Sequence, residues 1–157
     1  MPRITPNLWM DTQGLEAAEF YCSIFPNSKI TRISHYTDVG PRPKGMVLTV
    51  EFVLDGKPFM ALNGGPEFKF TEAISISIEC DTQEEIDRYW SALQAGGGKE
   101  IECGWLKDRF GLSWQVSPKK MADIITGPDP EKADRAMRAM LTMKKIVLAD
   151  IEEAVRG

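Results

Sequence analysis

The sequence is poor in the side chains that carry most protein chemistry. There is one histidine, His35, in 157 residues, and the three cysteines, Cys22, Cys80 and Cys103, have no CxxC spacing. Catalytic zinc and its neighbours draw on imidazole, thiolate and carboxylate donors in groups, so a two-histidine metal centre is excluded. An odd, scattered set of thiols without a paired histidine reads as reduced and buried rather than as a disulfide framework or a nucleophile. No apolar run approaches 18 residues and no basic-then-apolar leader opens the chain, so the expectation is a cytoplasmic protein without a membrane partner. Lysine and arginine number 19 against 23 aspartates and glutamates, a net charge of −4, which gives no electrostatic reason to expect nucleic acid. A glycine-rich turn from strand to helix, the cradle for a nucleotide, is also missing. Gly96-Gly97-Gly98 follows a helical run and Gly64-Gly65 follows a hairpin.

What is present is a repeat. The stretch Gly104–Pro118, GWLKDRFGLSWQVSP, reads as strand, turn, strand, and Val50–Asn63, VEFVLDGKPFMALN, repeats that plan. Superposing Gly56 on Gly111 sets Phe59 against Trp114 and Met60 against Gln115. Asp11-Thr12-Gln13 likewise recurs as Asp81-Thr82-Gln83, each after a strand-like run and before a helix-like run. The periodicity predicts helices near 13–25, with an apolar stripe of Ala17, Phe20, Tyr21 and Ile24, and near 83–95, with Ile86, Tyr89, Trp90 and Leu93. Thr82 and Glu85 make a capping box for the second. Strands are expected at 4–10, 29–36, 46–54, 58–63, 73–80, near Ile101 and in the second hairpin. In AISISIEC, Ala73–Cys80, strict alternation puts Ile74, Ile76 and Ile78 on a helix-packed face and Ser75, Ser77 and Glu79 on the other. Residues 38–45, with Arg42 and Lys44, form a loop suited to act as a lid. The whole chain, 1–157, reads as a single domain of two modules, 3–65 and 67–118, followed by a helical tail, 129–157, whose Met137, Met140, Leu141 and Met143 offer an apolar surface for the domain or a second subunit.

Two modules of strand, helix and three further strands resemble the vicinal oxygen chelate superfamily of glyoxalase I, bleomycin resistance proteins and extradiol dioxygenases. Asn7-Leu8-Trp9, Glu19-Phe20-Tyr21, Phe25-Pro26, Lys107-Asp108-Arg109-Phe110-Gly111 with Trp114-Gln115, and Met143-Lys144-Lys145-Ile146 are similar to its PhnB-like branch, labelled as 3-demethylubiquinone-9 3-methyltransferase-like. The resemblance implies an α+β fold, tandem βαβββ modules forming a U-shaped eight-stranded mixed sheet around a cleft, in a homodimer.

Metal enzymes of that superfamily carry His, Glu or Gln ligands on the first and last strands of each half. Carried onto this chain through the repeat, those positions are Thr5, Met60, Ser75 and Gln115, of which only Gln115 offers a plausible donor. No metal and no cofactor is therefore expected. The expected ligand cleft is aromatic with a few polar groups: Trp9, Asn63, Ser75, Ser77, Trp105, Trp114 and Gln115. His35 reads first as a lone surface or half-buried histidine rather than a general base, and Glu79 as an exposed strand-end carboxylate rather than a proton-transfer group at the cleft mouth. The expected function is small-molecule binding of the bleomycin-resistance type without a metal. The alternative is a metal-dependent lyase, isomerase or dioxygenase, or a methyltransferase as the label states.

Overall fold

The computed structural model describes all 157 residues, in two compact units, Met1–Phe70 and Thr71–Gly157. In the first unit, β1 (Asn7–Met10) leads through α1 (Gly14–Ile24) to β2 (Lys29–His35), β3 (Val47–Leu54) and β4 (Lys57–Asn63). The sheet order is β1-β4-β3-β2, with β1 parallel to β4 and the other pairs antiparallel. In the second unit, β5 (Ser75–Cys80), α2 (Gln83–Gln94), β6 (Lys99–Glu100), β7 (Trp105–Lys107) and β8 (Ser113–Pro118) give the order β5-β8-β7-β6 with the same sense of pairing. Each unit is thus a βαβββ module, and the fold is α+β. The repeat extends to register. Asn7 pairs with Met60 and Ser77 with Gln115, residues that the sequence repeat makes equivalent.

Each helix covers one face of its own sheet. In the first unit Ala17, Ala18 and Tyr21 are fully buried against Val50, Phe52 and Ala61. Two alanines let α1 approach closely, and Tyr21, Phe52 and Phe59 stack in sequence across the contact. Burial of a ring such as Phe52 is worth about 2–3 kcal/mol. Phe20 and Ile24, expected on this stripe, are only half-buried, because Ala18 and Gly14 rather than they complete the contact face. In the second unit Ile86, Tyr89, Trp90 and Leu93 are buried as the periodicity requires. The Thr82 hydroxyl accepts from the Glu85 N–H at 3.2 Å, and the Glu85 carboxylate reaches back to the N–H of Asp81 at 3.2 Å.

The two hairpins close differently. Asp55 and Gly56 both adopt positive φ, 48° and 74°, the conformation of a tight two-residue turn. In the second hairpin the Asp108 carboxylate closes the longer loop: Oδ1 accepts from the N–H groups of Phe110 and Leu112 at 2.9 and 3.1 Å, and Oδ2 accepts from Trp114 Nε1 at 2.9 Å.

Beyond β8 three helices follow: α3 (Lys119–Ile125), which periodicity did not predict, α4 (Pro130–Leu141) and α5 (Leu148–Arg156). Asp129 caps α4 through Oδ1, with Pro130 in its first turn. The tail folds on its own unit around Met121, Ala136, Ile146 and Ile151. Backbone bonds from Cys103 and Gly104 to the carbonyls of Met143 and Lys144, 2.8 and 2.7 Å, tie it to the loop before β7. Gly104 is required there: φ is 82°, and a Cβ would lie 2.8 Å from the Val116 carbonyl and 3.0 Å from Ile146. No helix is long and apolar enough to cross a membrane.

Candidate functional site

With α1 and α2 each occupying one face, the opposite face of each sheet is what remains to meet a ligand. Strand parity assigns the side chains. In the second unit Ile76 and Ile78 pair with the buried Trp114 and Val116 on the α2 side, and Cys80 on that side is fully buried. Burial pushes the Cys80 thiol up to about 11, so it is no thiolate. Ser75, Ser77, Ser113, Gln115, Trp105 and Lys107 take the other face. Ile74 departs from expectation: the strand begins at Ser75, and Ile74 lies before it, 65% exposed.

Two rows run across this second face. Ser77, Gln115 and Trp105 form one; Ser75, Ser113 and Lys107 form the other. The Gln115 amide donates to Ser75 Oγ at 2.9 Å, which leaves the Ser75 proton free to donate. The Ser113 hydroxyl is fully buried with no hydrogen-bond partner. Lys107 is ion-paired to Glu72, whose carboxyl is held below its usual range first by that hydrogen bond. Parity alone would have found Ser113, two residues before Gln115.

In the first unit the corresponding face carries Asn7, Trp9, Thr49, Glu51, Met60 and Leu62. Trp9 is half-buried: its Nε1 donates to the Gly65 carbonyl at 2.9 Å, and its ring meets Phe68 edge-on, centroids 4.9 Å apart. Gly64 lies directly beneath that ring, where a Cβ would collide with it.

Two expected cleft residues are corrected. Asn63 pairs with Met10 on the α1 side and is 2% exposed. Its Oδ1 accepts from the Gly14 N–H at 2.8 Å, its Nδ2 donates to the Val47 carbonyl at 3.1 Å, and its own carbonyl accepts from the Tyr36 hydroxyl at 2.6 Å. Trp114 is 1% exposed on the α2 side and bonded to Asp108. Both are internal fasteners. Trp9, Ser75, Ser77, Trp105 and Gln115 do face away from the helices of their units. His35 and Glu79 are exposed, and the loop 38–45 is pinned, with Arg42 bonded to the Asp11 carbonyl and carboxylate.

The metal centre that the superfamily implies does not fit this donor set. Thr5 precedes β1, the Met60 thioether accepts from Asn7 Nδ2 at 3.6 Å, and Gln115 is engaged with Ser75. No three His, Cys, Asp or Glu side chains lie close enough to share an ion. Neither strand-to-helix turn, Asp11-Thr12-Gln13 or Asp81-Thr82, is glycine-rich.

Residues 2–117 match the sequence model of the family described as 3-demethylubiquinone-9 3-methyltransferase, so α3–α5 lie beyond it. A PhnB protein from Bacillus cereus bearing the same description is 35% identical, with a TM-score of 0.66 over 73% of this chain and 98% of its own. PA1353 from Pseudomonas aeruginosa, 22% identical, shares the fold at a TM-score of 0.61 over 75% of this chain and 98% of that one. So does the fosfomycin resistance protein FosX from Listeria monocytogenes, 14% identical, at 0.59 over 80% and 98%. No curated protein matches the chain. The chain therefore belongs to the 3-demethylubiquinone-9 3-methyltransferase family, the PhnB-like branch of the vicinal oxygen chelate superfamily.

Proposed function

We propose that this protein binds a small molecule on the helix-free sheet faces without a superfamily-type metal centre, and that it does so as a cytoplasmic homodimer. The observation that carries the reading is the shared register of the two modules. It sets Met60 and Gln115 in equivalent places, where a metalloenzyme of this fold carries His, Glu or Gln donors and this chain has a thioether and one neutral amide. The first unit's face supplies a half-buried ring, Trp9, and the second unit's face another, Trp105, with the Ser75 hydroxyl proton free to donate. Apolar walls with a few placed polar groups are the usual composition of a ligand site. The methyltransferase description of the family lacks support in the strand-to-helix turns, where a glycine-rich nucleotide cradle would have to lie.

The test is metal titration of chelator-treated protein. Zinc, nickel, manganese and iron should each bind no tighter than about 10 µM. A single tight stoichiometric site, lost on Gln115→Ala, would instead make the chain a metal-dependent lyase, isomerase or dioxygenase.

A further inference from the structure

A cavity of about 220 Å³ opens in the first unit, beside the face that carries Glu51 and Met60. Two arginines, Arg3 and Arg32, and one acidic residue, Glu51, are among its lining residues, whose charges sum to +1. Arg32 Nε donates to Glu51 Oε2 at 3.1 Å. That bond uses one of five guanidinium N–H groups and leaves the outer fork of Arg32 unspent. Arg3 has no ion-pair partner. Thr5 adds a hydroxyl, whereas the Thr31 hydroxyl is already given to the Glu51 carbonyl at 3.1 Å. Val53 and Pro58, cross-strand partners on the face of Glu51, complete the wall with apolar surface.

The fold does not require this charge. Through the repeat, Arg3 corresponds to Ala73, Thr5 to Ser75, and Glu51, paired with Met60, to Trp105, paired with Gln115. The same framework is thus built in the second unit with an alanine and a tryptophan at those places. Two arginines beside one carboxylate are a property of this cavity.

We infer that the cavity bounded by Arg3, Arg32, Thr5 and Val53 binds a small organic monocarboxylate, its carboxylate forked by the two guanidiniums and its carbon body against Val53 and Pro58. The inference rests on the small-molecule reading above and names the ligand class. Planar guanidinium forks match carboxylate oxygens two by two. A net charge of +1 is balanced by a monoanion and over-balanced by a phosphate dianion. The volume is that of about seven liquid waters, ample for a short or aromatic acid.

Titration calorimetry at low salt tests it, with benzoate, its neutral isostere benzamide and inorganic phosphate as probes. Benzoate should bind, benzamide at least about tenfold more weakly, and Arg3→Gln and Arg32→Gln should each cost benzoate about tenfold. Glu51→Gln should tighten benzoate binding, because it removes the competing carboxylate and frees Arg32. A merely structural role for Glu51 would give loss instead. Circular dichroism of each variant checks that the fold is kept. Equal binding of benzamide, indifferent to either arginine, would overturn the carboxylate assignment while leaving a small-molecule site in place. Tighter binding of phosphate than of benzoate, or no benzoate binding up to about 10 mM, would also overturn it.

Discussion

Asp108 shows how much one side chain can decide here. It is 3% exposed, and three N–H groups converge on its two oxygens, one of them from the indole of the fully buried Trp114. Removing the carboxylate strands buried donors, each costing about 1–3 kcal/mol. Asp108→Ala should therefore lose about 3 kcal/mol or more in urea unfolding. Asp108→Asn, which keeps the Oδ1 acceptor but can turn an amide N–H toward the indole, should lose about 1–3 kcal/mol. A variant within about 0.5 kcal/mol of wild type would mean that the loop closes without this group. The sequence pointed to this stretch by its tryptophans and repeat, but the reading of Trp114 and Asn63 as cleft residues went wrong for a common reason. Residue type says that an indole or an amide needs a partner. Which side of a strand it occupies depends on where the strand starts and on what its neighbours bond, and a half-turn error of parity moves a candidate from site to core. Arg3 and Arg32 were invisible as a pair, since only the pairing of β2 with β3 and the approach of the segment before β1 bring them to one cavity.

At the scale of elements, the helices with an alternating capping and apolar signal were legible, and so were the strands flanking Asp55-Gly56. The α3 helix was not: KKMADII has one buried side chain, Met121, and no side-chain cap, so its sequence carries neither period nor start signal. What anchors the tail is also long-range. The Gln83 amide donates to the Ile146 carbonyl and to Asp87 Oδ1, both at 3.0 Å, and accepts from the Leu148 N–H at 2.8 Å. Lys145 pairs with Asp87 at 2.7 Å. The hydrogen bond from Lys145, followed by that from Gln83, holds the Asp87 carboxyl below its usual value. A depressed folded pKa means that this contribution is complete above the ordinary carboxyl range and is lost as pH falls through the lower folded value. Hydrogen exchange at the Cys103 and Gly104 amides, which bond to the tail backbone, reports the docking. Gln83→Ala should speed it about tenfold at neutral pH, the equivalent of one to two hydrogen bonds. In wild type, protection should begin to fall below about pH 4. Exchange unchanged by Gln83→Ala would place the anchor elsewhere.

For the whole molecule the remaining question is association. The apolar tail residues were one reason to expect a partner, and the tail covers part of them itself: Met140 and Met143 pack against Met121, Ala136, Ile146 and Ile151, whereas Leu141 stays 60% exposed. Other apolar side chains are exposed as well. Ile4 is 91% exposed, Phe68 64% and Ile74 65%. Single exposed apolar residues are ordinary on soluble proteins, so exposure by itself is weak ground. The proposed homodimer gains from Phe68 and Ile74 falling in the segment between β4 and β5, outside either sheet; Phe68 meets the Trp9 ring edge-on and still leaves most of its surface exposed. Burial of a ring and a branched aliphatic chain in a two-fold contact would repeat in both copies, so each substitution counts twice. Light scattering at micromolar concentration should give twice 17.6 kDa, and Phe68→Ser with Ile74→Ser should move the particle toward 17.6 kDa with the circular dichroism spectrum unchanged. A wild-type particle of 17.6 kDa would rule the dimer out under those conditions. A dimer that survives the double substitution would put the interface on another surface.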